Sequence, residues 1–457
     1  MKHSISYKNM YFLGIGGIGM SALARYYANM GVNVSGYDKT ETTLTKLLQE
    51  ENISIHYSSD IRLIPDNIDL VVYTPAIPAD HPAFEVFKNQ GVPMMKRSQA
   101  MAELVNDKFC IAIAGTHGKT TISSLVTHIL KFAGKEVLAF VGGIMKNYER
   151  NLVFSFNPEF CIVEADEYDR SFLFLKPDIA VISAVDADHL DIYGNFENIA
   201  YAFSQFAEGI KSNGKLIVHH AIERDFSVKN ISKYGVDCKS GLRAKNIRFD
   251  GGTYQFDIYN AGHCLTENVL FPFSGIHNVE NALAAVQVAL FAGIEISVIK
   301  EALSAFLGIH RRFEFRIKTS DLIYIDDYAH HPREIDALIK GVKGLYPGKK
   351  ITGIFQPHLF SRTRDFADEF ARSLEKLDNV IVLDIYPARE LPIEGVNAEF
   401  LLRKIRHSNK YYGSRSELFQ LIKDISPEIL LTIGAGDIDT LVKPIKKLLL
   451  SMKEGKE

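Results

Sequence analysis

The sequence predicts an α/β protein of three doubly wound domains, and three observations carry that expectation. Two segments read strand, glycine turn, helix, one near the N-terminus and one after residue 108. Several apolar runs are continuous rather than alternating, the pattern of parallel strands covered on both faces. In the last third of the chain each apolar run stops in a polar loop and helical stretches intervene, again as in a doubly wound sheet. A length of 457 residues suits about three domains of ordinary size.

Composition narrows the function classes. Hydrophobic content of 47% and charged content of 23% are those of a soluble globular chain. A formal net charge of -3 argues against a general nucleic-acid binder, which carries a basic excess. The four cysteines, Cys110, Cys161, Cys238 and Cys264, form no C-x-x-C pair and suggest no disulfide framework, so a cytoplasmic location is expected. The N-terminal apolar stretch is broken by glycines, unlike a signal peptide, and no apolar run is long enough to span a bilayer.

The first domain is expected over residues 1–106. Met10-Tyr11-Phe12-Leu13 reads as a strand, and Gly14-Ile15-Gly16-Gly17-Ile18-Gly19 fits G-x-G-x-x-G. Met20 to Met30 reads as a helix, Val32 to Gly36 as the next strand, and Asp38 follows it. This is the dinucleotide-binding fingerprint, with an acidic residue placed for a ribose hydroxyl. It indicates a diphosphate joined to a nucleoside without saying which nucleoside. A further strand, Leu70-Val71-Val72-Tyr73, ends in a Pro-rich loop. His81 and Arg97, nearby in sequence, read equally well as surface residues.

The second domain, expected over 107–314, opens on a phosphate cradle. Phe109 to Ala114 is a buried strand, and Gly115-Thr116-His117-Gly118-Lys119-Thr120-Thr121 is a tight glycine loop. Ile122, Leu125, Val126, Ile129 and Leu130 then recur at helical spacing until Gly134. Backbone N–H groups and the helix dipole favour phosphate there. Lys119 would reach the β- and γ-phosphates, and Thr120 would hold Mg²⁺. Ile113 stands where the common pattern has its first glycine, so the loop is a shortened variant. Two further apolar strands lead into Glu164-Ala165-Asp166-Glu167 and towards Asp186, Asp188, His189 and Asp191. Glu164 is the best Mg²⁺ ligand by its place at a strand end, and His189 suits a second metal or a substrate. His277 and Asn281, four apart on one helix face, could cap the helix or grip a base. The arginines of His310-Arg311-Arg312 could reach a phosphate or form a salt bridge.

The third domain is expected over 315–457. Its strands run into Asp326-Asp327-Tyr328-Ala329-His330-His331, into Gln356-Pro357-His358-Leu359-Phe360-Ser361-Arg362-Thr363-Arg364, and into Gly434-Ala435-Gly436-Asp437. Arginines flanking a threonine suit a carboxylate, although Asp365 beside Arg364 also fits a surface ion pair.

Taken in order, these motifs resemble the Mur ligase family. The segments that carry the resemblance are GIGGIGMS (Gly14–Ser21), AGTHGKTT (Ala114–Thr121), EADEYDRSF (Glu164–Phe172), DADHLD (Asp186–Asp191), GIHNVENALAA (Gly275–Ala285), HRRFE (His310–Glu314), DDYAHHP (Asp326–Pro332), QPHLFSRT (Gln356–Thr363) and GAGDI (Gly434–Ile438). They span essentially the whole chain. The resemblance implies a Rossmann-like N-terminal domain for a UDP-sugar, a central P-loop ATPase-type domain and a C-terminal Rossmann-like domain. It implies ATP-dependent joining of L-alanine to the carboxylate of UDP-N-acetylmuramate through an acyl phosphate, with ATP and Mg²⁺ as cofactors. Neither nucleic acid nor membrane insertion is expected, and the chain would be a monomer or weak homodimer.

Residue by residue, the resemblance puts Gly14, Gly16, Gly17, Gly19, Met20, Ser21 and Asp38 on the UDP-sugar, and Gly115 to Thr121 on ATP. Lys119 bridges phosphates, Thr120 and Glu164 hold Mg²⁺, and His189 holds a second Mg²⁺. His277, Asn278 and Asn281 fall on the adenine side. Arg311 meets phosphate and Asp327 the ribose. Tyr328, His330 and Arg362 line the alanine site. A ligase that adds a tripeptide to the same sugar remains as an alternative. So does a nicotinamide-dependent oxidoreductase resting on the first fingerprint alone, which would leave Lys119, Glu164 and His189 without a role.

Overall fold

The computed structural model describes residues 7–454 apart from 187–189, 251, 274, 389 and 415. The chain divides after Gly308 into two compact units, and each is described by itself. The first unit holds two sheets and the second holds one.

The first sheet consists of β1 (Asn9–Leu13), β2 (Asn33–Tyr37), β3 (Ser54–His56), β4 (Leu70–Tyr73) and β5 (Met94–Lys96), in the order β3-β2-β1-β4-β5. Every pairing is parallel. The chain leaves β1 between outward-running β2 and β4, so the glycine turn after Leu13 sits where the strand order reverses. That crevice is where open α/β sheets bind ligands.

The second sheet contains β6 (Cys110–Ala114), β7 (Val137–Met145), β8 (Arg150–Val153), β9 (Phe160–Glu164), β10 (Ile179–Ile182), β11 (Lys215–His219), β12 (Ile231–Tyr234), β13 (Leu242–Asp250), β14 (Thr253–Asn260) and β15 (His263–Phe271). Their order is β15-β14-β13-β12-β11-β10-β6-β9-β7-β8. β6 is buried along its whole length, as its unbroken apolar sequence predicts. It pairs parallel with β9 and β10, with Ile113 opposite both Glu164 and Val181. The carboxyl ends of three strands thus deliver the glycine loop, Glu164 and Ser183 to one edge. The two sheets of this unit share a single apolar core that runs from Met10 to Phe226. Tyr26 of the first packs on Phe140 and Phe154 of the second, with ring centroids 6.0 and 5.9 Å apart.

The second unit is built on β16 (Glu314–Lys318), β17 (Ile323–Asp327), β18 (Ile351–Phe355), β19 (Asn379–Val382), β20 (Lys410–Tyr412) and β21 (Ile429–Ile433), ordered β16-β17-β21-β18-β19-β20. All pairings but β16 with β17 are parallel. Apolar clusters cover both faces.

Candidate active site

The loop after β6 is shaped by glycine at two points. Gly115 has φ +135°, and a Cβ there would fall 2.1 Å from the Ser183 hydroxyl oxygen. Gly118 has φ +85° and caps the helix Lys119–Phe132, and a Cβ there would fall 2.6 Å from the Asn281 carboxamide oxygen. Any side chain would be strained and would fill the cradle. Ser183 donates to the His117 carbonyl, and the Thr116 N–H donates to the Ala184 carbonyl at 3.1 Å, so the end of β10 braces the loop. The Thr116 hydroxyl is buried without a hydrogen-bond partner. A polar atom left this way at a helix start fits a phosphate oxygen.

Lys119 Nζ donates to the Gly115 carbonyl at 2.7 Å and to both carboxylate oxygens of Glu167 at 2.8 and 2.7 Å. Glu167 is fully buried. Burial opposes the charge on Lys119, but Glu167, Asp166 and Glu164 outweigh it and hold the ammonium above its ordinary range. The lysine is therefore a preformed cation on a buried anion. Beside it, the Thr120 hydroxyl donates to Glu164 Oε2 at 3.1 Å, while Glu164 Oε1 accepts from Ser123 Oγ at 2.9 Å and the Gly142 N–H at 2.6 Å. A hydroxyl and an oriented carboxylate at the mouth of a phosphate loop are the hard oxygens Mg²⁺ takes alongside nucleotide phosphates. The donor set fits that ion. His189 lies outside the described residues. His117 Nε2 stands 3.4 Å from Asp186 Oδ2.

In the first turn, Gly14 has φ +84°, and a Cβ there would lie 2.5 Å from the Thr74 side chain at the end of β4. The helix Ile18–Asn29 starts from Gly17 with no side-chain cap, which leaves its first N–H groups open. Asp38 lies at this turn as the fingerprint predicts, but its Oδ2 accepts the Gly16 N–H at 2.8 Å, so it holds the turn's shape. Met20 and Ser21, expected on the sugar side, are buried. Ser21 Oγ donates to the Ile18 carbonyl at 2.9 Å and accepts from Asn151 Nδ2 at 3.0 Å. Asn151 also receives Arg25 Nη1 at 2.6 Å, and Arg25 pairs with Glu51 at 2.7 Å. These side chains brace the turn from inside.

Arg97 lies against the same helix start, since a Cβ on Gly19 would come within 2.6 Å of its guanidinium. It reaches Asp166 at 3.4 Å. A cleft of about 170 Å³ is lined by Gly19, Arg97, Lys119, Gly142, Glu164 and Asp166. Both glycine turns therefore open toward one space within the first unit. The run Glu164-Ala165-Asp166-Glu167 serves both: Glu164 meets Thr120, Asp166 meets Arg97 and Glu167 meets Lys119. From the sequence, Glu164 is the best metal ligand in that run, and Arg97 reads equally well as a surface residue. Consecutive acids at a strand end were the available signal.

On the helix Ile276–Phe291, His277 is exposed and Asn278 is buried, and Asn281 donates to Asn278 at 3.3 Å. In the second unit, Arg311 is engaged locally. It donates to Asp326 at 3.3 Å and to the Gly434 carbonyl at 2.6 Å, with its guanidinium 5.3 Å from the centre of the Tyr328 ring. Asp327 accepts the Phe313 and Ala329 N–H groups at 2.7 and 2.8 Å. Burial pushes its carboxyl up to about 6, against the opposing pull of Arg312 and those two donors. Tyr328 and His330 pack edge to face at 5.4 Å. Burial holds His330 below its ordinary range, with Glu334 opposing and Arg362 adding to the shift. Arg362 has no hydrogen-bond or ion-pair partner for its guanidinium among the described residues. Tyr328 and His330 thus stand together, with Arg362 near enough to His330 to act on it and Glu334 3.4 Å from its ring.

Three family models match the chain: "Mur ligase family, catalytic domain" over residues 9–109, "Mur ligase middle domain" over 113–289, and "Mur ligase, glutamate ligase domain" over 311–436. A protein of Christiangramia forsetii named UDP-N-acetylmuramate--L-alanine ligase is 45% identical over 456 residues, which is 98% of this chain and 99% of that one. One of the same name from Flavobacterium psychrophilum is 47% identical over 448 residues, 96% of this chain and 98% of that one. Among solved structures, the UDP-N-acetylmuramate-alanine ligase of Thermotoga maritima aligns with a TM-score of 0.82 at 27% identity, covering 98% of this chain and 100% of that chain. A murein peptide ligase of Psychrobacter arcticus aligns at 0.72 with 23% identity and shares the fold.

Proposed function

The chain belongs to the Mur ligase family, and we propose that it joins L-alanine to the carboxylate of UDP-N-acetylmuramate with conversion of ATP to ADP and phosphate. The observation that carries this reading is the cleft that Lys119, Glu164 and Arg97 line together. A cation on a phosphate loop and a second cation at a diphosphate-type turn face the same space, as transfer of a γ-phosphate to a tethered carboxylate needs. The sequence division 1–106, 107–314 and 315–457 is kept as the proposal for which stretch takes sugar nucleotide, ATP and amino acid.

Catalysis of phosphoryl transfer is mostly positioning and charge neutralisation. The Gly115–Thr121 amides cradle the phosphates, and Lys119 exchanges part of its contact with Glu167 for phosphate oxygens. Thr120 and Glu164 would hold Mg²⁺, with His189 on a second ion; the metal supplies neutralisation of phosphate charge. The muramoyl carboxylate attacks the γ-phosphorus, and the bond to the β-γ bridging oxygen breaks with its electrons leaving on ADP. The amine of L-alanine then attacks the acyl carbon, loses a proton and expels phosphate. Arg97 and the open amides at Ile18 and Gly19 suit the diphosphate of the sugar nucleotide. Asp38 is assigned to the same ligand, through the turn it shapes. His277, Asn278 and Asn281 are assigned to the adenine, Arg311 to phosphate and Asp327 to the ribose. Arg362, with Tyr328 and His330, suits the alanine carboxylate. The enzyme would act in the cytoplasm as a monomer or weak homodimer; no helix among the described residues is long and apolar enough to cross a membrane.

The test is phosphate release from ATP with each acceptor. Release that requires both UDP-N-acetylmuramate and L-alanine, with the ligated product seen by mass, is the expected result. Turnover with L-alanyl-γ-D-glutamyl-meso-diaminopimelate and none with alanine would overturn it.

A further inference from the structure

β11 ends at His219 and is followed directly by His220, and the proposed reaction uses neither histidine. Successive side chains on a strand point to opposite faces. Here the strand ends at His219, and the two rings lie 4.8 Å apart between centroids at 50°. Glu280, on the second turn of the helix Ile276–Phe291, faces them. One nitrogen from each imidazole and one Glu280 oxygen lie within 4.8 Å of one another.

The surroundings fix this group. Tyr234 packs edge-on against His219 at 5.3 Å. A Cβ on Gly235 would fall 2.2 Å from His220 Cδ2, and that glycine has φ +146°, so the His220 ring occupies space that only glycine leaves open. His219 Nε2 is shut off from solvent and lies 3.0 Å from Glu280 Oε1, and Glu280 also accepts the Val236 N–H.

We propose that His219, His220 and Glu280 bind one divalent transition-metal ion, Zn²⁺ in the first instance. Bonds of about 2.0–2.1 Å in a tetrahedral site set neighbouring ligand atoms roughly 3.3 Å apart, a spacing within reach of small side-chain movements here. Two imidazoles and a carboxylate favour Zn²⁺, Co²⁺ or Ni²⁺ over Mg²⁺. The side chains of His219 and Glu280 keep 16% and 25% of their surface, so an ion has a path in and water can complete the shell. The ion would fasten the end of β11 to the helix that carries Asn278 and Asn281.

The test uses the full chain, stripped with chelator and titrated with Co²⁺ alone. One equivalent with tetrahedral d–d absorption is expected, displaced by Zn²⁺, with a Zn²⁺-dependent rise in melting temperature. E280Q and H220Q should each weaken Zn²⁺ binding by about a hundredfold or more and abolish that rise, while E164Q should leave both unchanged. A wild-type chain that melts normally but takes up no Co²⁺, or a Co²⁺ spectrum that survives H219Q/H220Q, would show an ion pair only and overturn the proposal.

Discussion

The two glycine turns share a backbone plan and differ in where their positive charge comes from. Each follows a buried central strand, opens on a glycine with positive φ, and feeds a helix without a side-chain cap. The phosphate loop carries its own cation, Lys119, at the first helical position. The N-terminal turn has none and receives Arg97 from the start of another helix. In the proposed reaction the built-in cation would serve the ligand that reacts. The borrowed one would serve the ligand that is held. Each cation rests on a carboxylate of the same short run, Lys119 on Glu167 and Arg97 on Asp166. The pairings differ in burial. Glu167 is sealed, whereas Asp166 keeps 38% of its side-chain surface.

The largest effect expected from this contrast is at Lys119. Lys119→Ala should cut the rate of ligated product by about a thousandfold or more, because a cation on the transferred phosphoryl group acts in the transition state. The KM for the sugar nucleotide should barely move. An equal loss in both constants would erase the distinction between the turns. Arg97→Gln should do the reverse, raising the KM for UDP-N-acetylmuramate by about ten- to a hundredfold through a lost charge-assisted contact while kcat changes little. Steady-state kinetics with each substrate varied separates the two.

Glu167→Gln probes the sealed pairing in the absence of substrate. A buried ammonium stripped of its counter-ion should destabilise the first unit by roughly 3 kcal/mol. Part of that should return on adding ATP and Mg²⁺, read as a change in melting temperature. Asp166→Asn, at the exposed pairing, should cost about 1 kcal/mol or less.

A further effect lies outside both turns. Asp327 has its carboxyl raised to about 6, so its contribution to stability is complete below the unfolded value near 4 and fades as pH rises through 6. Denaturant titrations between pH 4 and 7 should show a downward slope for the wild type that is shallower by about 1–2 kcal/mol in Asp327→Asn. An unchanged slope would assign the titration to another group.

How much of this was legible in the sequence follows from the range of each interaction. The phosphate loop could be read residue by residue, since Gly115, Gly118, Lys119 and Thr120 act through the backbone they belong to. Glu164 was legible because a strand end fixes its position. The Lys119 counter-ion was not, since Glu167 lies 48 residues away and nothing local separates it from Asp166. Arg97 was set aside because its value comes from Gly19 and Asp166, neither adjacent in sequence. Ser21 sits in the fingerprint, yet its hydroxyl is turned to Asn151, 130 residues on. The polar loops of the second unit were visible as strand ends. That Arg311 spends its donors on Asp326 and Gly434 depends on how three strands stack in register.

The common core of the first two sheets also bears on how the chain is made. Arg25 is 3% exposed and bonds Asn151, and Tyr26 packs against Phe140 and Phe154. As synthesis proceeds from the N-terminus, the first sheet emerges with Arg25 paired to Glu51 but without its Asn151 contact, and with Tyr26 without the Phe140 and Phe154 rings. It stays unfinished until β7 and β8 have left the ribosome. The helix start after the first glycine turn, although translated first, gains its Asn151 contacts only after the phosphate loop has been translated.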